Sequence, residues 1–583
     1  MVVSERVWWA GRRVEDLAGA AGNAGVRAWR LLEGEVLVGP AAVALFGRVA
    51  ERHGEAGRAF VEAAGRIEAA GRQATPPVPG IHVRFPRAGR APRGEPGIGA
   101  GSPEGLNDLM IELGRMARRW QDTGRELRRT LEGIGAGGGP GIRVERLGTD
   151  LLGEIPDLRR RRDLLAKEEL GPERIGRLAA ALSMMWAVKA ADPKLYARLL
   201  RAGVDPADMP GCGAAEVRKW WELLGREQRR LYVLAFPALI GWADGVPAAA
   251  RDKANRTVLE RRLEQLRESP AGSLTPFEAR DLRRLERLAD KLASVERDTG
   301  QKAYLLGLSS TLAGPWDGPG EKPLLPDSIP RLVTDPTPGP DGRVIIAIGN
   351  PDRSRHTGIY VPGTTAQLDN IDGDVERVVN LWKQSQNYVF KDAVSTVMWL
   401  GYDAPDGIVA DATRDQYADA GAPKLRGFVN GIRAGQDAPK AHVTVIGHSY
   451  GSVVVGEAAK KRDFAADDIV VAGSPGMHVG KAAELGIGAE RVWAQAAEGD
   501  PVPNAGRMGH GRPDPEKRWG FVGNPMPLVP SDDQFGGQIL ETDTQGHSEY
   551  WNEGSKSLDN QVKVMVHTHG NSTPADDPVL KAE

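Results

Sequence analysis

The strongest constraint on the fold is a change of pattern after residue 342, where short β-branched runs begin to alternate with helical patterns. This alternation is typical of a parallel sheet whose strands are joined by crossover helices. The predicted strands are 343–348, 357–361, 394–400, 442–446, 468–472, 491–496 and 537–542. The predicted helices lie at roughly 373–388, 412–433, 451–462 and 479–486. We therefore expect a mostly parallel α/β domain, flanked by helices, over about 303–570.

A serine flanked by glycines follows one of these predicted strands. The run 442–446 leads into GHSYG, with Ser449 at its centre, and a helical pattern comes next. A GxSxG sequence between a strand and a helix predicts a sharp turn that exposes a nucleophilic serine. Glycines at 447 and 451 avoid collisions with neighbouring elements, and the N-terminus of the following helix favours negative charge beside the serine.

A serine hydroxyl needs a base, and the base needs an orienting carboxylate between the two in chain order. Asp500 comes just after the predicted strand 491–496, and His547 comes just after 537–542. An acid after one strand and a histidine after the next fit the loop order of such a sheet. We predict that Ser449, Asp500 and His547 form a catalytic triad.

Other residues compete for these two roles. Glu498 lies near the same strand end as Asp500, but it can belong to the strand or point away. His448 adjoins the nucleophile, and a side chain on that turn cannot easily reach the serine oxygen. His478 also follows Ser449 in the chain.

His510 falls in a Gly/Pro-rich stretch, 501–535, in which no strand is predicted and which is a candidate lid. If it is a lid, trimming it should change substrate preference and leave Ser449 reactive. His567 and His569 have the spacing of a strand face or a metal site, yet the sequence shows no third ligand.

Two backbone N–H groups should stabilise a developing oxyanion. One is expected from Tyr450, the residue after the nucleophile. The other is expected from the PGTT loop after 357–361, from Thr364 or alternatively Thr365, because Pro362 has no N–H.

The part of the chain before about residue 310 has helical patterns. Residues 1–140 are predicted to be a hairpin-like helical region, interrupted by a Pro/Gly/Arg-rich linker at 73–102. Residues 141–302 are predicted to be helical and to pack on the α/β domain. A further Pro-rich stretch lies at 312–342, and 571–583 is a C-terminal tail.

Composition excludes several classes of protein. The 583 residues have a net charge of −2, so no overall positive field supports nucleic-acid binding. The single cysteine, Cys212, can form neither an internal disulfide nor a cysteine-based zinc site. The start of the chain lacks the apolar core of a signal peptide, and no apolar run is long enough for a membrane helix. We expect a cytoplasmic location by default, with signal-peptide-independent export as an alternative.

The chain resembles an actinobacterial α/β-hydrolase family long catalogued only as a domain of unknown function. The similar pieces are WW…PALIGWADGVP…RDKANR over 220–256, GNPD at 349–352, YVPGTT at 360–365, WLGYDAP at 399–405, GHSYGS at 447–452, GSPG at 473–476, DPV at 500–502 and GHSEYW at 546–551. The resemblance implies an α/β-hydrolase domain after a helical region, with Ser449, Asp500 and His547 as its triad. It implies no settled substrate. Where family members have an Asn-Leu-Asp-Gly-like run, this chain has Trp242-Ala-Asp-Gly245.

The first third of the chain resembles, more distantly, helical-hairpin modules associated with specialised secretion in actinobacteria. The residues that carry this resemblance are Trp9-Ala10-Gly11, which are predicted to lie before the first helix. The resemblance implies a helical protein partner for the N-terminal region.

We expect a serine hydrolase that cleaves a small-molecule or lipid-like carboxylic ester through an acyl-enzyme, with no cofactor and no metal. The preference for an ester rests on analogy with other proteins of this fold. An amidase or peptidase on the same triad is one alternative. A secretion-linked helical interaction protein with a secondary or inactive hydrolase domain is the other.

Overall fold

The computed structural model describes residues 2–33, 39–72, 80–89, 102–167, 172–211, 213–270, 272–309, 341–406, 415–436, 441–515 and 526–568. Cys212, most of both Pro-rich linkers, the middle of the candidate lid, His569 and the C-terminal tail lie outside the described residues. The chain divides into two compact units. The first contains the described residues up to 211 together with 226–231, and the second contains the remaining described residues.

The first unit is built from helices around its own apolar core. Its helices are α1 Val2–Asn23, α2 Val26–Glu33, α3 Gly39–Gly71, α4 Pro103–Glu132, α5 Gly139–Leu152, α6 Ile155–Lys167, α7 Pro172–Ala191 and α8 Pro193–Ala202. Helix α4 has a capped start, because the Ser102 side chain accepts a hydrogen bond from Gly105 N–H and Pro103 occupies the first turn. Trp9-Ala10-Gly11 lies inside α1, so the prediction that it precedes the first helix is wrong.

The second unit contains a sheet of eight strands among the described residues. They are β1 Ala303–Ser309, β2 Arg343–Ile348, β3 His356–Val361, β4 Val394–Leu400, β5 His442–His448, β6 Asp468–Ala472, β7 Val492–Gln495 and β8 Gln538–Ile539. Their order is β1-β2-β4-β3-β5-β6-β7-β8. Strand β2 is antiparallel to β1 and β4, and all the other pairs are parallel. The prediction of a mostly parallel α/β-hydrolase sheet is therefore confirmed.

Further helices lie before, between and after these strands in the chain. They are α9 Ala214–Leu223, α10 Arg226–Ala235, α11 Pro237–Trp242, α12 Ala248–Arg267, α13 Pro276–Thr299, α14 Asp372–Ser385, α15 Gln416–Gly435, α16 Gly451–Ala459, α17 Val502–His510 and α18 Lys556–Met565. No helix in the described part of the chain combines the length and apolarity that a membrane crossing requires.

Three local predictions are wrong. The helical assignment before residue 310 misses β1, whose residues are mostly buried and show no polar alternation to mark them as a strand. Residues 479–486 contain only one short 3₁₀ turn, Ala482–Glu484. The stretch 501–535 begins with α17 rather than with an irregular loop.

Side chains of α12 bind the backbone of the edge strand β1. Asn255 Nδ2 donates to the carbonyl oxygens of Leu305, at 2.9 Å, and of Gly241, at 3.0 Å. The Arg251 guanidinium donates to the Leu306 carbonyl at 2.7 Å, and Asp252 accepts from Leu305 N–H at 2.9 Å. These contacts explain the RDKANR sequence, because they satisfy strand groups that an open sheet edge would leave unpaired.

We predict that Asn255→Ala lowers the free energy of unfolding of the second unit by about 2 kcal/mol, because the Leu305 carbonyl loses the Asn255 donor and the Gly241 carbonyl keeps only Arg251 Nε, at 3.1 Å. Urea denaturation measures the change. Lys253→Ala, an exposed change in the same helix, is the control and should stay within about 0.5 kcal/mol of wild type. Equal stability of the two variants would contradict the role of α12 in holding β1.

Candidate functional site

Five parallel strands end at the same edge of the sheet, and the candidate functional residues follow them. Thr364 comes after β3, Ser449 after β5 and Gly473 after β6, while Asp500 follows β7 and His547 follows β8. Since β3, β5, β6, β7 and β8 are neighbours in this order, the loops that carry these residues are adjacent. This edge is where parallel α/β sheets place their ligands.

Ser449 occupies a tight turn between β5 and α16. Its φ of 51° lies in the left-handed region, which is rare for a residue other than glycine. A Cβ at Gly447 would lie 2.8 Å from Ser452 Cα, and one at Gly451 would lie 2.2 Å from the Val361 carbonyl oxygen. The two glycines are therefore required by close backbone packing, and the strained turn they permit is typical of functional sites.

Asp500 and His547 are hydrogen-bonded to each other. His547 Nδ1 lies 2.9 Å from Asp500 Oδ1 and 3.0 Å from Oδ2. Asp500 also accepts from Tyr550 Oη–H at 2.6 Å and from Val502 N–H at 2.9 Å. The carboxylate is fully buried and the imidazole is 27% exposed, so Asp500 holds a ring that remains accessible.

The charge on Asp500 is stabilised by its donors. Burial opposes ionisation, but hydrogen bonds from His547, Tyr550 and Val502 N–H outweigh it, and the pKa of Asp500 is lowered. An ionised Asp500 that accepts from His547 Nδ1–H leaves Nε2 as the lone-pair nitrogen of the neutral ring. That is the tautomer which a general base requires.

The end of β6 lies between the serine turn and the Asp500–His547 pair and packs closely against both. Ser449 N–H donates to the Ala472 carbonyl at 3.1 Å. The next residue, Gly473, has a φ of 59°, and a Cβ there would lie 2.6 Å from Asp500 Oδ2 and 2.9 Å from His547 Nδ1. A side chain at position 473 would therefore collide with the pair. On the other flank, a Cβ at Gly363 would lie 2.6 Å from Ser449 Cβ.

His448 supports the backbone of the candidate base. Its Nε2 lies 2.8 Å from the His547 carbonyl oxygen, so Nε2 carries the proton and donates it. Its Nδ1 lies 3.4 Å from Arg377 Nη1, which also donates to Tyr360 Oη at 2.6 Å and to Asp374 at 2.7 Å. Burial above all, with the neighbouring Arg377 and His547, lowers the pKa of His448 well below its usual range. His448 is thus a neutral donor.

The backbone N–H groups of the two candidate oxyanion residues in the PGTT loop differ in their hydrogen bonding. Thr365 N–H donates to the Pro405 carbonyl at 2.8 Å, so this alternative is engaged elsewhere. No hydrogen bond to Thr364 N–H is formed by the residues that the structure describes. Tyr450 is the N-cap residue of α16, directly after Ser449. Thr364 and Tyr450 remain the predicted donors.

The competing residues have other partners. The Glu498 side chain is exposed, and its carbonyl accepts from Gly546 N–H at 2.9 Å, which anchors the loop that carries His547. The His510 ring lies against His478, with ring nitrogens 2.9 Å apart. His567 packs against His442 at a ring-centroid distance of 4.9 Å.

Sequence reasoning missed the roles of Gly473, Tyr550 and Arg377. Gly473 is the first residue after β6, so its place at the functional edge could have been inferred from the predicted strand. Tyr550 lies three residues after His547, which was a weaker signal. Arg377 lies on α14, and no pattern in the sequence connects it with His448.

A family model described as alpha/beta hydrolase matches residues 337–510. The chain is 30% identical over 216 residues to the uncharacterized proteins Rv0963c of Mycobacterium tuberculosis and Mb0988c of Mycobacterium bovis. The match covers 36% of this chain and 76% of each relative. The chain therefore belongs to this α/β-hydrolase family.

A longer match joins the chain to the uncharacterized protein Rv2079 of Mycobacterium tuberculosis. The two are 28% identical over 386 residues, which is 63% of this chain and 57% of that protein. The chain thus matches little more than half the length of this relative. The names of these relatives state no activity.

We predict that His448 makes the second unit less stable as the pH falls from about 7 to 5. Its pKa is lowered in the folded state, so below about pH 6.5 the unfolded chain binds a proton that the folded chain excludes. The contribution of His448 lowers the free energy of unfolding by up to about 1.4 kcal/mol per pH unit as the pH falls. This contribution should be absent in His448→Gln. Urea unfolding at several pH values measures it.

His82→Gln is the control, since His82 lies in the first unit and should leave the pH dependence of the second unit unchanged. A pH dependence of His448→Gln as steep as that of wild type would contradict a neutral, buried His448.

Proposed function

We propose that the protein is a serine hydrolase that cleaves a carboxylic ester through an acyl-enzyme. The observation that carries the proposal is the buried Asp500 carboxylate bound to His547 Nδ1, on the same sheet edge as a serine held at positive φ. Proteins of the α/β-hydrolase fold place their nucleophile, acid and base in this chain order.

In the proposed first step, His547 Nε2 takes the proton of Ser449 Oγ as the oxygen attacks the ester carbonyl. Asp500 keeps the imidazole in the required tautomer and stabilises the imidazolium. The N–H groups of Tyr450 and Thr364 stabilise the oxyanion, aided by the N-terminus of α16.

Collapse of the tetrahedral intermediate breaks the ester C–O bond, and His547 returns the proton to the leaving alkoxide. Water then repeats the sequence on the acyl-enzyme, with His547 first as base and then as acid. The products are the carboxylic acid and the alcohol. The chain's own residues supply every proton transfer in this scheme.

We predict that a fluorophosphonate probe labels wild type and that Ser449→Ala abolishes labelling, because the probe reacts with an activated serine oxygen. His547→Ala should abolish it too, and Asp500→Asn should slow it by about 10³–10⁴-fold by reversing the histidine tautomer. Intact-protein mass spectrometry measures the adduct.

Ser395→Ala is the matched control for this experiment. Ser395 is also buried, but it lies near the start of β4 and donates to the Gly349 carbonyl at 3.2 Å. Its variant should label like wild type. If the wild-type protein is folded but is not labelled, the proposal is contradicted. That result would favour an interaction protein with an inactive hydrolase domain.

We predict that Thr364→Pro lowers kcat on a p-nitrophenyl ester by about 10²–10³-fold, since proline removes the N–H proposed to bind the oxyanion. Thr364→Ala keeps that N–H and should stay close to wild type. Circular dichroism checks that both variants fold. Equal kcat values for the two variants would show that Thr364 N–H does not bind the oxyanion.

The type of bond cleaved is tested by comparing an ester with the matching anilide. A much larger kcat/KM on the ester supports the proposal. Comparable rates on the anilide would identify an amidase or peptidase instead, since an amide needs more leaving-group protonation.

A protein partner for the first unit is a separate proposal. It is supported by Trp8 and Trp9 on α1, whose exposed fractions are 44% and 67%. Large exposed aromatic side chains are enriched where proteins bind one another.

A further inference from the structure

A second cluster of polar side chains lies beside the serine turn and is not used in the proposed reaction. Its members are Asp415, immediately before α15, His478, after β6, and His510, the last residue of α17. They come from three segments that are far apart in the sequence.

The three ligand atoms converge on one point. His478 Nε2 lies 2.9 Å from His510 Nδ1 and 3.0 Å from Asp415 Oδ1. His510 Nδ1 lies 3.9 Å from the same carboxylate oxygen. Ligand atoms around a tetrahedral zinc ion are separated by about 3.3 Å, given zinc–ligand bonds of about 2.0–2.1 Å. The observed separations bracket that value.

Glu457 fixes the tautomer of His478. Its Oε1 lies 2.7 Å from His478 Nδ1, so Nδ1 donates its proton to this carboxylate. In the neutral ring, the Nε2 lone pair then faces the other two members of the cluster. A carboxylate that orients a histidine in this way is the usual outer partner of a metal-binding imidazole.

The centre of this arrangement is electron-rich. The lone pair of His478 Nε2 and the Asp415 carboxylate repel each other across 3.0 Å. Arg512 lies 3.7 Å from the other oxygen, Oδ2, which leaves Oδ1 directed at the histidines. A metal cation at this point would attract all three ligand atoms at once.

The backbone holds the two histidines together without help from an ion. His478 has a φ of 56°, and its N–H donates to the His510 carbonyl at 3.1 Å. A Cβ at Gly476 would lie 2.2 Å from the His510 carbonyl carbon. Such strain in a preformed cluster is typical of functional positions. Both imidazoles are buried, while Asp415 is half exposed, which leaves an entry path.

We propose that Asp415, His478 and His510 bind one divalent cation of the zinc class, with a water molecule in the fourth position. Two imidazole nitrogens and one carboxylate oxygen suit such an ion. The ion would join three segments around Tyr450, whose ring lies 5.2 Å from that of His510 and whose hydroxyl accepts from Ala418 N–H at 3.3 Å. Its role would be to hold the flank of the serine turn.

A similar group of residues elsewhere in the second unit provides a comparison. His442 Nε2 lies 3.0 Å from Asp468 Oδ2, and His567 lies nearby. In this group the carboxylate already has donors, since Trp493 Nε1 lies 2.8 Å from Oδ1 and Arg491 lies 3.4 Å from Oδ2. A cation is therefore not needed to satisfy Asp468.

The test is calorimetric titration of Zn²⁺ into the full chain after chelator treatment. Wild type should bind one ion per chain at this cluster, and Asp415→Asn and His510→Ala should each weaken binding at least 100-fold. Asp415→Asn keeps the shape of a half-exposed side chain, so it remains informative if His510→Ala fails to fold.

His567→Ala is the matched control and should keep the binding that Asp415→Asn loses. Cobalt(II) should give the visible absorption of a tetrahedral site in wild type and in His567→Ala. The proposal is overturned if folded wild type binds no ion, or if Asp415→Asn binds as wild type does. Neither readout depends on ester cleavage, so failure of the proposed hydrolase activity is distinguishable from failure of the metal site.

Discussion

The close approach of backbones around Ser449 is the constraint on which the functional edge depends. Side chains at 447 or 451 would drive the turn into the first residues of α16 or into the end of β3. The serine accepts an unfavourable φ because the sheet on one side and the helix on the other leave no other path. The pairing of β5 with β3 and β6 then brings the loops of neighbouring strands against the same turn.

Around this turn, polar groups are arranged in buried chains rather than in isolated pairs. Asp500 holds His547 through its ring, and His448 holds it through its backbone carbonyl. His448 is in turn bound by Arg377, which also contacts Tyr360 and Asp374. His547 is thus held at its ring by Asp500 and at its backbone by His448. A buried polar group that loses its partner in such a network raises the free energy of the folded state. The network therefore favours one arrangement of these side chains over the alternatives.

The sequence predicts the sheet well where strands are flanked by helices, because alternation of the two patterns is a strong signal. It fails at β1, because a short apolar run that is mostly buried resembles a buried helix. It places Asp500 and His547 near each other through loop order alone, and the structure brings them into contact. The roles of Arg377 and the RDKANR sequence depend on contacts between distant segments. A single amino-acid sequence contains no signal for such contacts. It also contains none for the hydrogen bond that Thr365 N–H donates to the Pro405 carbonyl.

The attachment of α12 to β1 has a consequence for how the gene is divided for expression. The matched family region begins at residue 337 and ends at 510, so a fragment cut at those limits loses β1 together with the helix that binds it. The same fragment exposes the edge of β2 and lacks β8, His547 and α18. The limits of family similarity are therefore not limits of autonomous folding, and a fragment that keeps the candidate functional site has to begin upstream of α12 and continue beyond α18.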